Sequence, residues 1–107
     1  MNSSEKIVVV FRSRLRADAD LPALEAAGMR MYELASTMPG FISYKDFTAE
    51  DGESVSIVEF SDAASLLAWR NHPEHLRVQQ RGREEFMAEY SIQVCRPERE
   101  YSFKEGD

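Results

Sequence analysis

Both histidines of the chain fall in one short stretch, WRNHPEHLRVQQRGR, residues 69–83. His72 and His75 stand three apart across Pro73 and Glu74. Three readings are open to them: a metal site, a catalytic pair, or the start of a helix. Residues three apart share a face of a regular helix, but Pro73 puts His72 at or before the first turn, so the rings need not converge. A catalytic zinc usually takes three protein ligands, and the chain has no third histidine and no nearby cysteine. No metal is expected. As a helix start the stretch is well formed: Asn71 or His72 can cap, Pro73 fits an early position, and Glu74 meets the positive end of the helix dipole. That accounts for Asn71, Pro73 and Glu74 but not for two histidines. The same dipole disfavours a charged imidazole, so His75 is expected to stay neutral at about pH 7 and to be able to accept a proton as a general base.

Stepping about 100° per residue from His75 brings Phe86, Gln79, Tyr90, Arg83, Leu76 and Met87 within roughly 20–120°. Arg77, Arg81, Glu84 and Glu85 fall on the opposite side. His75, Gln79 and Arg83 thus form a polar row at i, i+4 and i+8 on an apolar face. Polar groups buried there need partners or water. A cavity between helix and sheet meets that need, and Gly82 beside the row leaves room for a ligand. The alternative is a row at the border of the stripe, with Arg83 extending outward along its aliphatic stem.

The elements that position this helix follow from pattern. Residues 7–15, IVVVFRSRL, are rich in β-branched side chains and read as a strand with both faces covered. Asp20 caps a helix over LPALEAAGMRMYELASTM, residues 21–38, with Leu24, Ala27, Met31, Leu34, Ala35 and Met38 on its buried side. Pro39-Gly40 stops it. Residues 41–48 and 54–60 are strands joined by a tight turn at Asp51-Gly52. Asp62 caps the short helix AASLLAW, and a longer helix runs from about His72 to Ala88. The last strand covers 90–101, with Pro97 at an edge or bulge, and SFKEGD is a polar tail. The order is β-α-β-β-α-β: an α+β, ferredoxin-like subunit with an antiparallel sheet and helices on one face. Yet the strands carry apolar or aromatic residues on both faces. The simplest cover for the second face is another copy of the chain, so a homodimer through the sheet is expected.

Composition narrows the function classes. At 107 residues, 43% hydrophobic and 30% charged, the chain suits one globular domain. Its net charge of −6 has the wrong sign for tracking a phosphate backbone, so nucleic acid is not an expected partner. No apolar run is long enough to span a membrane, and MNSSEKIVVVFRSRL lacks a basic leader and a cleavage site. A cytoplasmic protein is expected. The single Cys95 is read as a buried thiol on a strand.

Several stretches together resemble the antibiotic biosynthesis monooxygenase (ABM) domain family, among the dimeric α+β barrels. They are the first strand ending FRSRL, the Met38-Pro39-Gly40-Phe41 junction, the Asp51-Gly52 hairpin, SDAASLLAWRNHPEH, and QQRGREEF leading to the strand at Tyr90. The resemblance covers nearly the whole chain. It implies a ferredoxin-like subunit whose sheet packs on that of its mate, with a ligand cavity in each subunit between helices and sheet. Members include oxygenases that act on aromatic polyketides or quinols without metal or flavin. In these the protein deprotonates a phenol or enol and holds the anion, which then reacts with oxygen. Carried to this chain, the resemblance implies His75 as base, Arg83 with Gln79 or His72 as anion stabilisers, and Trp69, Phe86 and Tyr90 as walls. The haem-degrading branch uses an asparagine on the first strand, a tryptophan and a later histidine. Trp69 matches, but Gln79 stands at the histidine's offset, and IVVVFRSRL holds no asparagine.

Three functions remain open. One is a cofactor-independent monooxygenase of a small aromatic, polyketide-like or quinol substrate, taking molecular oxygen. The second is a non-catalytic module that holds a small ligand or haem, and the third is a structural dimer.

Overall fold

A computed structural model of the chain describes residues 5–106. Residues 1–4, where part of the leader reading falls, and the last residue of the tail lie outside it. The order is β1 (Ile7–Leu15), α1 (Leu21–Ser36), β2 (Phe41–Thr48), β3 (Ser54–Phe60), α2 (Ala63–Arg70), α3 (Pro73–Arg81), a π-helical turn (Gly82–Phe86) and β4 (Met87–Cys95). The strands form one sheet in the order β2-β3-β1-β4 with every neighbouring pair antiparallel. This is the ferredoxin-like α+β fold, with the helices on one face.

Local chemistry sets the ends of the elements. The Asp20 carboxylate accepts from the Ala23 N–H at 3.1 Å, and Asp62 accepts from the Ser65 N–H at 2.7 Å, so each caps its helix. The β2–β3 turn closes with the Gly52 N–H donating to the Ala49 carbonyl at 3.0 Å. Gly52 has φ of 90°, a left-handed conformation that glycine adopts without a Cβ penalty. Gly40 serves a different end: its N–H donates to Ser65 Oγ at 3.0 Å and its carbonyl accepts from the Ser61 N–H at 2.7 Å. A Cβ there would lie 2.7 Å from Ser61, Asp62 and Ser65 side-chain oxygens. The α1–β2 corner therefore seats on the start of α2 only with a glycine.

The core lies between the sheet and the helices. Ile7, Val9, Val58 and Phe60 from the central strands meet Met31, Leu34 and Ala35 of α1 and Leu66 and Trp69 of α2. Leu24 and Met38, expected on the buried side of α1, are half-buried at its two ends. Cys95 is half-buried at the end of β4 rather than buried.

The third helical segment departs from expectation. Helix is predicted to Ala88 and strand from residue 90, whereas α3 passes into the π turn at Gly82 and β4 begins at Met87. The Met87 N–H donates to the Gly82 carbonyl, an i→i+5 bond. Arg16 fastens this corner: its N–H donates to the Phe86 carbonyl at 2.8 Å, and its guanidinium to the carbonyls of Met87 and Arg83 at 3.2 and 2.6 Å. These bonds take carbonyls that a helix C-terminus leaves free. β4 ends at Cys95, before Pro97, because proline cannot donate to the ladder.

Candidate active site

Between the sheet and the helices lies a cavity of about 750 Å³, within the range of small-molecule sites. Val9 and Phe11 of β1 form its floor, α1 contributes Ala27 and Met31, and Trp69, Val78 and Phe86 close the sides. Ile92 and Val94 of β4 also line it and are 43% and 52% exposed. The wall is therefore largely aliphatic and aromatic.

Of the residues singled out by sequence, Trp69, His75, Gln79, Phe86 and Tyr90 line this cavity together. Trp69 is buried, and its indole N–H donates to the Met31 carbonyl at 3.2 Å. That bond locks the ring between α1 and α2. The His75 ring stands edge-on to it, with centroids 4.4 Å apart and an interplanar angle of 79°. His75 Nδ1 is buried with no hydrogen-bond partner among the described residues. Burial is the first cause that lowers the imidazole from 6.5 to about 4, followed by the charge of Arg70. The residue's own backbone opposes this, and His72 adds to it less strongly. The neutral state expected of His75 is thus chiefly an effect of burial. With Nδ1 unbonded, nothing among the described residues fixes which ring nitrogen carries the proton.

The other two candidates stand elsewhere. His72 is the N-cap of α3, and its Nδ1 accepts from the Glu74 N–H at 3.1 Å. It does not line the cavity. Glu74 is taken by Arg30 of α1 through two bonds of 2.6 Å, which tie α3 to α1. His72, expected among the anion stabilisers, thus stands off the cavity wall with its Nδ1 on the backbone. Among the described residues no three His, Cys, Asp or Glu side chains gather.

Arg83 is exposed and also absent from the cavity wall; its Nη1 donates to the Tyr90 hydroxyl at 3.2 Å. The physical reason is the π turn. A wheel of about 100° per residue assumes i→i+4 bonds, and the i→i+5 bond at Gly82 shifts the side chains that follow it; Arg83, at the start of the turn, leaves the wall, while Phe86, Met87 and Tyr90 further on still line the cavity. His75 and Gln79, on α3 proper, keep the inward direction, and Arg83 lies beyond the break. Leu76, placed on the apolar face by the same wheel, is 48% exposed. Arg83 instead reaches Tyr90, whose ring packs on Phe11 with centroids 5.5 Å apart.

Several cavity residues carry polar groups that the pattern did not single out, Arg70, Tyr44 and Asp46 among them. Arg70, at the end of α2, lines the cavity and bears on His75. Tyr44 and Asp46 line it from β2. The i, i+2 spacing of Tyr44 and Asp46 in FISYKDFT was a legible sign that they share one sheet face. Which face that is depends on strand pairing.

Comparisons with known proteins agree with this geometry. The family model described as Antibiotic biosynthesis monooxygenase matches residues 6–81. A curated relative from Bacillus subtilis (strain 168), named uncharacterized protein YqjZ, is 28% identical over 77 residues, which is 72% of this chain and 68% of that protein. Among solved structures, Rv0793 from Mycobacterium tuberculosis superposes with a TM-score of 0.77 at 26% identity, covering 91% of this chain and 99% of that one. A variant of SnoaB from Streptomyces nogalater, described as a cofactor-independent oxygenase, superposes with a TM-score of 0.75 over 90% of this chain and 96% of its own. At 14% identity that likeness shows the fold alone. The matched family model spans every element from β1 to α3, well over half of the chain, so the chain belongs to the antibiotic biosynthesis monooxygenase family.

Proposed function

We propose that the protein is a cofactor-independent monooxygenase of a small aromatic, polyketide-like or quinol substrate bound in this cavity. The observation that carries the reading is His75, a neutral imidazole with an unbonded nitrogen, edge-on to a tryptophan in an apolar cavity. His75 takes the proton of a phenol or enol, and the anion delivers electrons to molecular oxygen. With an anthrone, the CH2 carbon takes one oxygen atom as a new carbonyl, and its two hydrogens leave with the other oxygen atom as water. An imidazole titrating at about 4 is a weak base for an isolated phenol. Inside the cavity the transfer produces an imidazolium beside an anion, and their mutual attraction offsets part of the burial cost that depresses the imidazole. Arg70 and Gln79 supply positive charge and an amide donor to that anion from the cavity wall. Arg83 acts at one remove, through the Tyr90 hydroxyl.

The sheet face away from the helices supports a dimer. Val8, Val10, Val55 and Ile57 project there half-buried, Phe47 is 51% exposed, and among the described residues no helix or strand covers them. A second copy set on that face removes this apolar surface from water. Static light scattering at micromolar concentration is expected to give twice the 12.3 kDa chain mass; a monomer refutes it. Among the described residues no helix is long and apolar enough to cross a membrane, and the cytoplasm is the proposed site of action.

Oxygen uptake with a panel of anthrones and hydroquinones tests the reaction. Uptake by the wild type, lost in His75→Ala, is the expected result. Uptake unchanged in that variant, or absent throughout, overturns it, and a Soret band on adding haem would then favour a binding module.

A further inference from the structure

The cavity floor changes character along β1 and β4. Val9 pairs with Val94, and Phe11 with Ile92; all four line the cavity and are apolar. The next pairing on that face is Ser13 with Tyr90. On its other side Ser13 pairs with Ser54, and Ser54 with Thr48. Thr48, Ser54, Ser13 and Tyr90 thus make one row of hydroxyls across the four strands of the sheet. Residues directly opposite one another share a face, with Cβ atoms about 5 Å apart, and each of the four lines the cavity.

The row runs from exposed Thr48 at the β2 edge to half-buried Tyr90. Ser13, between them, is 4% exposed, and its hydroxyl has no hydrogen-bond partner among the described residues. A polar group buried in that way costs free energy until something in the cavity bonds to it. Tyr90 adds a directed donor. Arg83 Nη1 donates to its oxygen at 3.2 Å, which leaves the phenol proton to be donated and polarises it in that sense.

His75 stands well apart from this row. It packs on Trp69, and Trp69 meets Tyr44, which is level with Val58 and Val9. From Val9 to Ser13 is about 13 Å of strand. Along α3, His75 precedes Gly82 by about 10 Å of helix, and Gly82 bonds to Met87 beside Leu15, at the row's end of the sheet. The imidazole and the hydroxyl row therefore face the cavity from opposite ends, with space for a ring system between them.

We propose that this row is an oxygen-binding subsite, with Ser13 as its buried donor, for a carbonyl oxygen conjugated across an aromatic ring to the acidic hydrogen at His75. When His75 takes that proton, the electron pair left behind spreads through the ring, and negative charge develops on the oxygen held by the row. Hydrogen bonds to a charged oxygen are stronger than those to a neutral one, so the row favours the deprotonated form. The cavity thereby selects ring systems with a conjugated carbonyl over simple phenols. The position of the acidic hydrogen rests on the function proposed above; the row does not.

6-Hydroxy-1-tetralone and 5,6,7,8-tetrahydro-2-naphthol share one bicyclic phenol and differ only in the conjugated carbonyl, so isothermal titration calorimetry with the pair isolates the subsite. The ketone is expected to bind the wild type roughly 3–10-fold more tightly, the effect of one hydrogen bond. Ser13→Ala brings the ratio close to one by weakening the ketone alone. Tyr90→Phe narrows the ratio and carries the test should Ser13→Ala fail to fold. No preference in the wild type, a preference that survives both substitutions, or no binding of either probe overturns the proposal. Because binding is read without turnover, a preference that depends on Ser13 in a protein that consumes no oxygen refutes the reaction and keeps the subsite. Oxygen uptake without the preference does the reverse.

Discussion

Burying His75 ties the stability of the fold to pH in a window of its own. The imidazole titrates at 6.5 when unfolded and at about 4 in the fold. Its folded value is depressed, so as pH falls through 6.5 the unfolded chain takes up a proton that the folded chain refuses, and stability is lost until about pH 4, where the folded protein also protonates. Between pH 8 and pH 5 the linkage expression with these two values amounts to about 2 kcal/mol. The ring is only partly enclosed, and solvent screening reduces the figure to between about 1 and 2 kcal/mol. The carboxylates held down by ion pairs or caps, Asp51, Glu53, Glu59, Asp62 and Glu74, lose their contribution below the ordinary carboxylate range, so they scarcely act above pH 5. Urea unfolding of the wild type and of His75→Gln at pH 8 and pH 5 isolates the effect. The variant is expected to lose about 1–2 kcal/mol less on going to pH 5. Proton NMR of the His75 ring is the direct check. An equal drop in both proteins, or a folded-state titration at 6.5 or above, would falsify the assignment of a desolvated imidazole.

Other consequences are open to simpler measurements. Oxygen uptake, if His75 is the base, is expected to hold its rate down the pH scale toward about 4 as long as the fold survives, and an acidic limb near 6.5 contradicts the depressed value. Gly40→Ala forces a methyl group against oxygens 2.7 Å away. It is expected to cost about 1–3 kcal/mol, read as a fall in Tm of several degrees; an unchanged Tm shows that the corner yields. Arg16→Ala frees the carbonyls of Arg83 and Met87. It is expected to destabilise by roughly 1 kcal/mol and to raise hydrogen exchange first at the π turn; uniform exchange refutes the fastening role. Trp69 is the one tryptophan of the chain and touches both His75 and Tyr44. A naphthol in the cavity is expected to change its emission, and a bound ligand that leaves it unaltered lies elsewhere.

The fold was largely legible because each element carries its own local signals. β1, β2 and β3 begin and end where alternation and the Asp-Gly turn place them, and Asp20 and Asp62 cap as expected. These depend on neighbours within a few residues. The candidate site was legible in part: His75, Gln79, Phe86 and Tyr90 line the cavity as a wheel predicts, whereas Leu76 is half exposed and Arg83 stands off the wall. The π turn that carries Arg83 is held by Arg16, just past the end of β1. A bond between residues so distant in the chain leaves no periodic trace.

Residue types and spacing by themselves determined the β-α-β-β-α-β order, the capped helix that carries His75, and the apolar face into which the imidazole turns. Only the tertiary structure decided the polarity of the cavity. It withdrew His72 to a backbone cap, moved Arg83 to Tyr90, and brought Arg70, Tyr44 and Asp46 to the wall. Hydrophobic periodicity is a property of each segment alone. The field at a buried imidazole is a sum over side chains from several segments, and their separation exists only once strands have paired and helices have packed.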